Sequence, residues 1–173
     1  MRIAVVVPQS GFKDETVNVA REFLLKWHVE PVIASLSVGD CRGYHGAAAK
    51  TIINIDNVRT VDFDGILLVD GPGVEQYAMY DYRPLLDAVR HFYEGGKLVA
   101  GVGNAIKILA RANVIANVKI AAPKDEEARR LSILYRGILT RNGIESDRNV
   151  VTLGRQEMMN EFMSAILREL GIG

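Results

Sequence analysis

Cysteine is almost missing from this chain: Cys41 is the only one in 173 residues. That excludes an internal disulfide, a multi-cysteine metal site and a dithiol redox pair. Net charge is missing as well, because 21 basic and 21 acidic residues cancel. No long-range field therefore steers the protein onto nucleic acid or an anionic membrane, and self-association is made easier. No apolar run approaches the ~20 residues of a membrane span. Met1 leads straight into a strand-like run rather than a charged region and an apolar leader, so a cytoplasmic protein is expected. Internal repeats, low-complexity segments and linkers are also lacking. The 49% hydrophobic content then suits one domain over residues 1–173.

What is present is an alternation of apolar, β-branched runs with helical patterns. Arg2 to Val7 is a continuous run of the kind covered on both faces of a parallel sheet. Asp14 is placed to cap a helix whose apolar positions run from Val17 to Trp27. Val32 to Ser35 reads as a short strand, Gly39 to Gly46 as a turn-rich segment, and Lys50 to Ile55 as a strand of an antiparallel excursion. Asp64 to Asp70 is a second core strand, and Asp81 to Glu94 is an amphipathic helix stopped by Gly95 and Gly96. Lys97 to Val102 is a third core strand that feeds a helix from Asn104 to Arg111. Further strands are expected at Asn117 to Ala121 and Asn149 to Leu153, with helices at Asp125 to Tyr135 and Glu157 to Leu170. This order predicts an α/β fold: a doubly wound, flavodoxin-like three-layer sandwich around a mostly parallel sheet. Ligands in such sheets bind beyond the carboxyl ends of the strands, which puts the loops after Val7, Val69 and Val102 on one rim.

Three features converge on that rim: Glu15, the run Asp70 to Glu75 (D-G-P-G-V-E), and Gly101 to Ala105 (G-V-G-N-A). A strand entering a helix through a tight glycine turn is where many α/β enzymes mount a nucleophile. Here Gly103 occupies that turn and carries no side chain. Helix-start amides around Asn104 and Ala105, facing the amides of the Gly71 loop, would form an anion pocket. Glu15 nearby opposes an anion, so a hydroxylated or cationic ligand is equally open. Each feature also has a plainer reading. Gly103 then merely packs helix on strand, Glu15 is a first-turn acid favoured by the helix dipole, and Asp70 caps the G-P-G turn. Tyr44 and His45 lie in a glycine-flanked loop and read as hydrogen-bonding or interface residues. His28 and His91 read as surface residues, and Arg155 is an anion contact only if it reaches the pocket. With one cysteine and scattered histidines, no metal and no cofactor is expected.

The segments Gly43 to Gly46 (G-Y-H-G), Phe63 to Glu75 (F-D-G-I-L-L-V-D-G-P-G-V-E) and Glu94 to Ile106 (E-G-G-K-L-V-A-G-V-G-N-A-I) resemble, in order and spacing, the ThiJ/PfpI family. This is also called the DJ-one superfamily, within the class I glutamine-amidotransferase-like fold. There the middle reads approximately G-K-H-G, F-D-A-L-V-L-P-G-G-x-x-P-E and E-G-K-P-V-A-x-I-C-H-G-P. The resemblance sets the family's nucleophilic cysteine on Gly103 and the following histidine on Asn104. It sets the acid beside the thiol on Glu15, or on Lys13 after a shift of two positions, and a second histidine of some relatives on Ala122. The acid that can reach a neighbouring subunit falls on Glu75. Together with Tyr44 and His45 it implies a homo-oligomeric contact, in a dimer or hexamer, to which an exposed Tyr77–Tyr80 patch would add.

A thiolate at such a turn depends on the helix start and on acid–base partners, and glycine keeps only the backbone part of that machinery. The expectation is a catalytically degenerate protein that binds a small ligand at Glu15, Gly71, Gly103, Asn104 and Ala105, or serves in assembly or regulation. The alternative is a residual hydrolase or glyoxalase-like enzyme using Glu15 or Cys41.

Overall fold

The computed structural model describes residues 1–173. The chain opens with β1 (Arg2–Val6), β2 (Ser10–Phe12), α1 (Asp14–Lys26), β3 (Glu30–Ser35), β4 (Gly39–Gly43), β5 (Ala48–Thr51) and β6 (Ile53–Asn54). It continues through β7 (Gly65–Leu68), α2 (Pro72–Gln76), α3 (Arg83–Glu94), β8 (Leu98–Val102) and α4 (Ile106–Arg111). The remainder is β9 (Lys119–Ala121), α5 (Glu126–Leu134), β10 (Ile138–Thr140), β11 (Ile144–Asp147), β12 (Val150–Leu153) and α6 (Met159–Glu169). Seven strands form the central sheet in the order β11-β12-β8-β7-β1-β3-β6. All its pairings are parallel except β11 with β12.

The doubly apolar strands explain the layering, because alternate side chains must be buried on opposite faces. Ala4 and Val6 of β1 join Ile66 and Leu68 of β7 and Val99 of β8 in one cluster, covered by Leu85, Val89 and Phe92 of α3 and Ile106 and Leu109 of α4. Ile3 and Val5, with Leu67, Ala100 and Val102, face the other way onto Val17, Ala20 and Leu24 of α1 and Phe162, Met163 and Ile166 of α6. The result is the three-layer, flavodoxin-like sandwich that the alternation predicts.

Several local expectations change. Gly39–Gly43 is a strand, not a turn: it pairs antiparallel with β5 and parallel with β2 in a separate three-stranded sheet. The expected strand at Lys50 to Ile55 splits, because the Ile52 N–H donates to the Ile33 carbonyl and hands the chain to β6, beside β3. Asp14 does not cap α1; Lys13 holds the cap position without a side-chain bond, and Asp14 turns away. The strands β10 and β11 and the helix α2 carry no readable period because they are three to five residues long. The Tyr77–Tyr80 segment is not an exposed patch. Met79 is buried, and Tyr77 and Tyr80 pack partly buried against the core. No helix is long and apolar enough to cross a membrane.

Phe92 is fully buried where α3 meets the sheet. Phe92→Ala is expected to cost about 3–5 kcal/mol, read as a lower urea midpoint at an unchanged denaturant slope.

Candidate functional site

Strand β8 is buried along its whole length and is followed by Gly103, whose φ is +53°. That left-handed conformation costs a residue with a Cβ about 1–3 kcal/mol and costs glycine little. A turn of 3-10 helix over Gly103–Ala105 then leads into α4. The helix sits close on the strand: a Cβ at Gly101 would lie 2.9 Å from Leu109 Cδ1. The parallel register decides what stands beside the turn. Leu68 pairs with Gly101, so Asp70, two residues beyond Leu68, comes level with Gly103, two residues beyond Gly101. A Cβ built on Gly103 would lie 3.1 Å from Asp70 Oδ2. A carboxyl therefore fills the ground next to the empty turn.

Asp70 is 7% exposed, and its Oδ1 accepts a hydrogen bond from Thr16 Oγ1 at 2.8 Å. Burial pushes its pKa up to about 6, against the opposing effects of the Thr16 bond and the nearby Lys13 charge. Its backbone carbonyl accepts from the Lys13 N–H at 2.8 Å, which ties the end of β7 to the start of α1. The next residue has to be glycine, since Gly71 has φ +137° and a Cβ there would lie 2.2 Å from the Gly11 carbonyl oxygen.

Asn104 grips Gly71 in both directions. Its Nδ2 donates to the Gly71 carbonyl at 2.8 Å, and its Oδ1 accepts the Gly71 N–H at 3.1 Å. The Gly71 amide is thus already engaged, and Ala105 is fully buried in the core. Of the groups expected to form an anion cradle, the Gly71 amide is therefore taken by the side chain at 104.

The cleft above the turn has a volume of about 960 Å³. Its walls include Lys13, Tyr44, His45, Asp70, Gly71, Glu75, Gly103, Asn104, Lys124 and Asp125. Glu15 is absent from the lining and exposed on α1, because Thr16, Val17 and Ala20 form that helix's buried face. Lys13 stands at the rim in its place. Between them Asp14 is buried and accepts the His45 and Ala47 N–H groups, each at 2.8 Å, fastening the loop between β4 and β5. Burial raises the Asp14 pKa, but these backbone donors outweigh it and leave the group below its ordinary value. Gly43 makes room for the fastening: a Cβ there would lie 2.3 Å from Asp14 Oδ2. Tyr44 and His45 reach the cleft edge-to-face, with ring centroids 5.0 Å apart.

Glu75 lies within reach of the cleft, but both oxygens are held inside the chain. Lys107 Nζ donates to Oε2 at 2.6 Å and Tyr80 Oη to Oε1 at 2.8 Å. These two bonds lower the Glu75 pKa, and the bond to Glu75, with burial, pushes Tyr80 up to about 12. Lys107 is 3% exposed and also 4.0 Å from Asp125 Oδ1. Its only sequence signal is a single lysine inside the apolar run Ala105–Ala110. Cys41 is 2% exposed, lies 2.7 Å from Thr51 Oγ1 and belongs to the core, outside the cleft. Arg155 donates to the Arg141 carbonyl and is likewise outside it. His28 and His91 are exposed.

A carboxyl with a raised pKa retains a proton that the unfolded chain has released between about pH 4 and 6. Folding stability is therefore unaffected by Asp70 below that window, falls across it and stays reduced above it. Asp70→Asn keeps the shape and an acceptor for Thr16 while removing the charge. It is expected to be more stable than the parent at pH 7.5, by up to about 3 kcal/mol, and equal to it at pH 3.5. Urea melts of the two proteins across this range measure the difference.

Comparison with known proteins agrees with this frame. An uncharacterized protein of Methanocaldococcus jannaschii is 23% identical over 98% of this chain and 82% of its own length. The crystal structure of a ThiJ/PfpI domain protein from Brachyspira murdochii superposes with a TM-score of 0.91 at 20% identity, covering 98% of this chain and 96% of that one. A DJ-1 superfamily protein from Agrobacterium tumefaciens gives 0.80 at 23% identity, over 100% and 91%. The DJ-1/PfpI family matches residues 1–169. Because that match spans nearly the whole sequence, the chain belongs to the DJ-1/PfpI family.

Proposed function

We propose that this protein is a member of its family without an elbow nucleophile, which binds a small polar ligand in the cleft above Gly103. The observation that carries the reading is the Asp70 carboxyl, 3.1 Å from the place a Cβ would take on Gly103. A thiol mounted there would face a buried carboxylate, and like charges at short range in a poorly solvated site suppress ionisation of the second group. Asn104 offers no imidazole to accept a proton, since its amide is engaged with Gly71. Backbone geometry is retained, but neither an attacking atom nor its base accompanies it. Cys41, buried and paired with Thr51, gives the alternative enzyme no access to the cleft.

A second reading, assembly into a homodimer or hexamer, draws on one feature. Tyr44 is 64% exposed on the fastened loop at the cleft mouth, and an exposed aromatic on a held loop suits a subunit contact. Glu75 supports that contact less, because both its oxygens already have partners within the chain.

Two measurements follow. Peptide, glyoxal and amide substrates are expected to give background rates with the protein and equally with Gly103→Cys. A clear rate from the unaltered protein defeats the reading, and a rate from the variant shows that the surroundings were still competent. Light scattering is expected to give a multiple of the 19.1 kDa chain mass, shifted toward one copy by Tyr44→Ser. A single-copy mass for the unaltered protein removes the assembly reading.

A further inference from the structure

Three acids line the cleft, and their partners differ. Glu75 is held by Lys107 and Tyr80. Asp125 accepts the Ala128 N–H at the start of α5, at 2.9 Å, and lies 4.0 Å from Lys107. Asp70 has Oδ1 taken by Thr16, while Oδ2 faces Gly103 on the cleft floor. Both Asp125 contacts fall on Oδ1 and its side chain is 36% exposed, so Asp70 is the buried acid whose second oxygen is left for a ligand. The charges around the cleft balance: Lys13 and Lys124 in the lining, with Lys107 behind Glu75, match Asp70, Glu75 and Asp125. Such a lining gives a net field to neither anions nor cations. The closure of the Gly71 amide by Asn104 further disfavours an anion. A neutral ligand rich in hydroxyl groups matches a surface that alternates acceptors with donors, each hydroxyl being able to give and to take a hydrogen bond.

We propose that the cleft is a site for a neutral polyhydroxylated small molecule, sugar-like or a linear polyol, anchored by a hydroxyl that donates to Asp70 Oδ2. Lys13 and Lys124 donate to other oxygens of the same ligand, and the Tyr44 ring at the mouth offers an apolar face to its C–H groups. Thr16 is a positioning residue, since it holds the carboxyl plane that aims Oδ2 at the floor. A hydrogen bond to a buried carboxylate is among the strong neutral–charged contacts, and loss of one costs about tenfold to a hundredfold in affinity. The inference rests on the ligand-binding reading above and adds the ligand's chemical class and its anchor.

The test is a titration of the ¹⁵N-labelled full chain, following the amides of Gly71, Gly103 and Asn104. The probes are ribitol and glucose for neutral polyols, putrescine for cations and inorganic phosphate for anions. Saturable shifts at these amides with ribitol or glucose are expected. Asp70→Asn, which turns an amide donor toward the floor once its oxygen takes Thr16, is expected to weaken that affinity at least about tenfold while melting no lower than the parent. Shifts with putrescine or phosphate alone overturn the polyol assignment and leave the ligand cleft standing. Polyol binding that Asp70→Asn does not weaken overturns the anchor. Silence from all three classes overturns this inference and the ligand-binding reading together.

Discussion

The parallel pairing of β7 with β8 is the constraint on which the site depends. Leu68 lies opposite Gly101, and from that one register the ends of the two strands must run out side by side. Two residues further on, Asp70 comes level with Gly103, where a Cβ would lie 3.1 Å from its Oδ2. Both strands are buried on both faces, and a slip by one residue would turn every core side chain to the opposite layer. The neighbourhood of carboxyl and glycine is thus held by the hydrophobic core, not by any contact between the two residues themselves.

That placement has an electrostatic consequence. A buried carboxyl loses hydration, and a single hydroxyl bond from Thr16 restores only part of it. Lys13 supplies favourable charge from the rim, but Glu15, exposed in the same turn, works against it. The chain retains a group that weakens the fold at neutral pH in a position where an apolar residue would pack without that penalty. Groups of this kind concentrate where a protein meets a ligand, because a ligand restores the interactions that burial removes. The pair Lys107 and Glu75 differs in this respect. There the cation and anion satisfy each other, with Tyr80 against both, so that cluster fixes the wall of the cleft.

Most of the frame was legible in the residues. β1, β7 and β8 announce themselves as continuous apolar runs, and the glycine turn after Val102 follows from the strand-to-helix change of period. What sequence could not supply was lateral order. Asp70 and Gly103 are far apart in the chain, and only the knowledge that β7 and β8 are neighbours in a given register brings them together. Rotation of α1 was equally hidden. A shift of one position decides whether Asp14 or Glu15 points inward, and the helical pattern alone leaves both at the start of the helix. Asp14 is inward because the loop after β4 presents two backbone N–H groups to it, a long-range partner with no local signature. Lys107 has no local signature, since one lysine among apolar residues reads as an exposed face until its partners from α2 and the start of α5 are placed.

The first turn of α1 joins these separate parts. Within four residues, Lys13 reaches the cleft, Asp14 fastens the loop that carries Tyr44 and His45, and Thr16 orients Asp70. The Lys13 N–H also donates to the Asp70 carbonyl, so the turn is bound to the end of β7 by backbone as well as side chain. A shift of this turn moves the floor and the rim of the cleft together. Conversely, a molecule that engages both Asp70 and the Tyr44 loop stabilises one position of α1 over others. Glycines at 43 and 71 make the junction feasible, each standing where a Cβ would collide with Asp14 or with the Gly11 carbonyl. The small residues and the buried acids of this corner are therefore one packing solution, and neither set is free to change without the other.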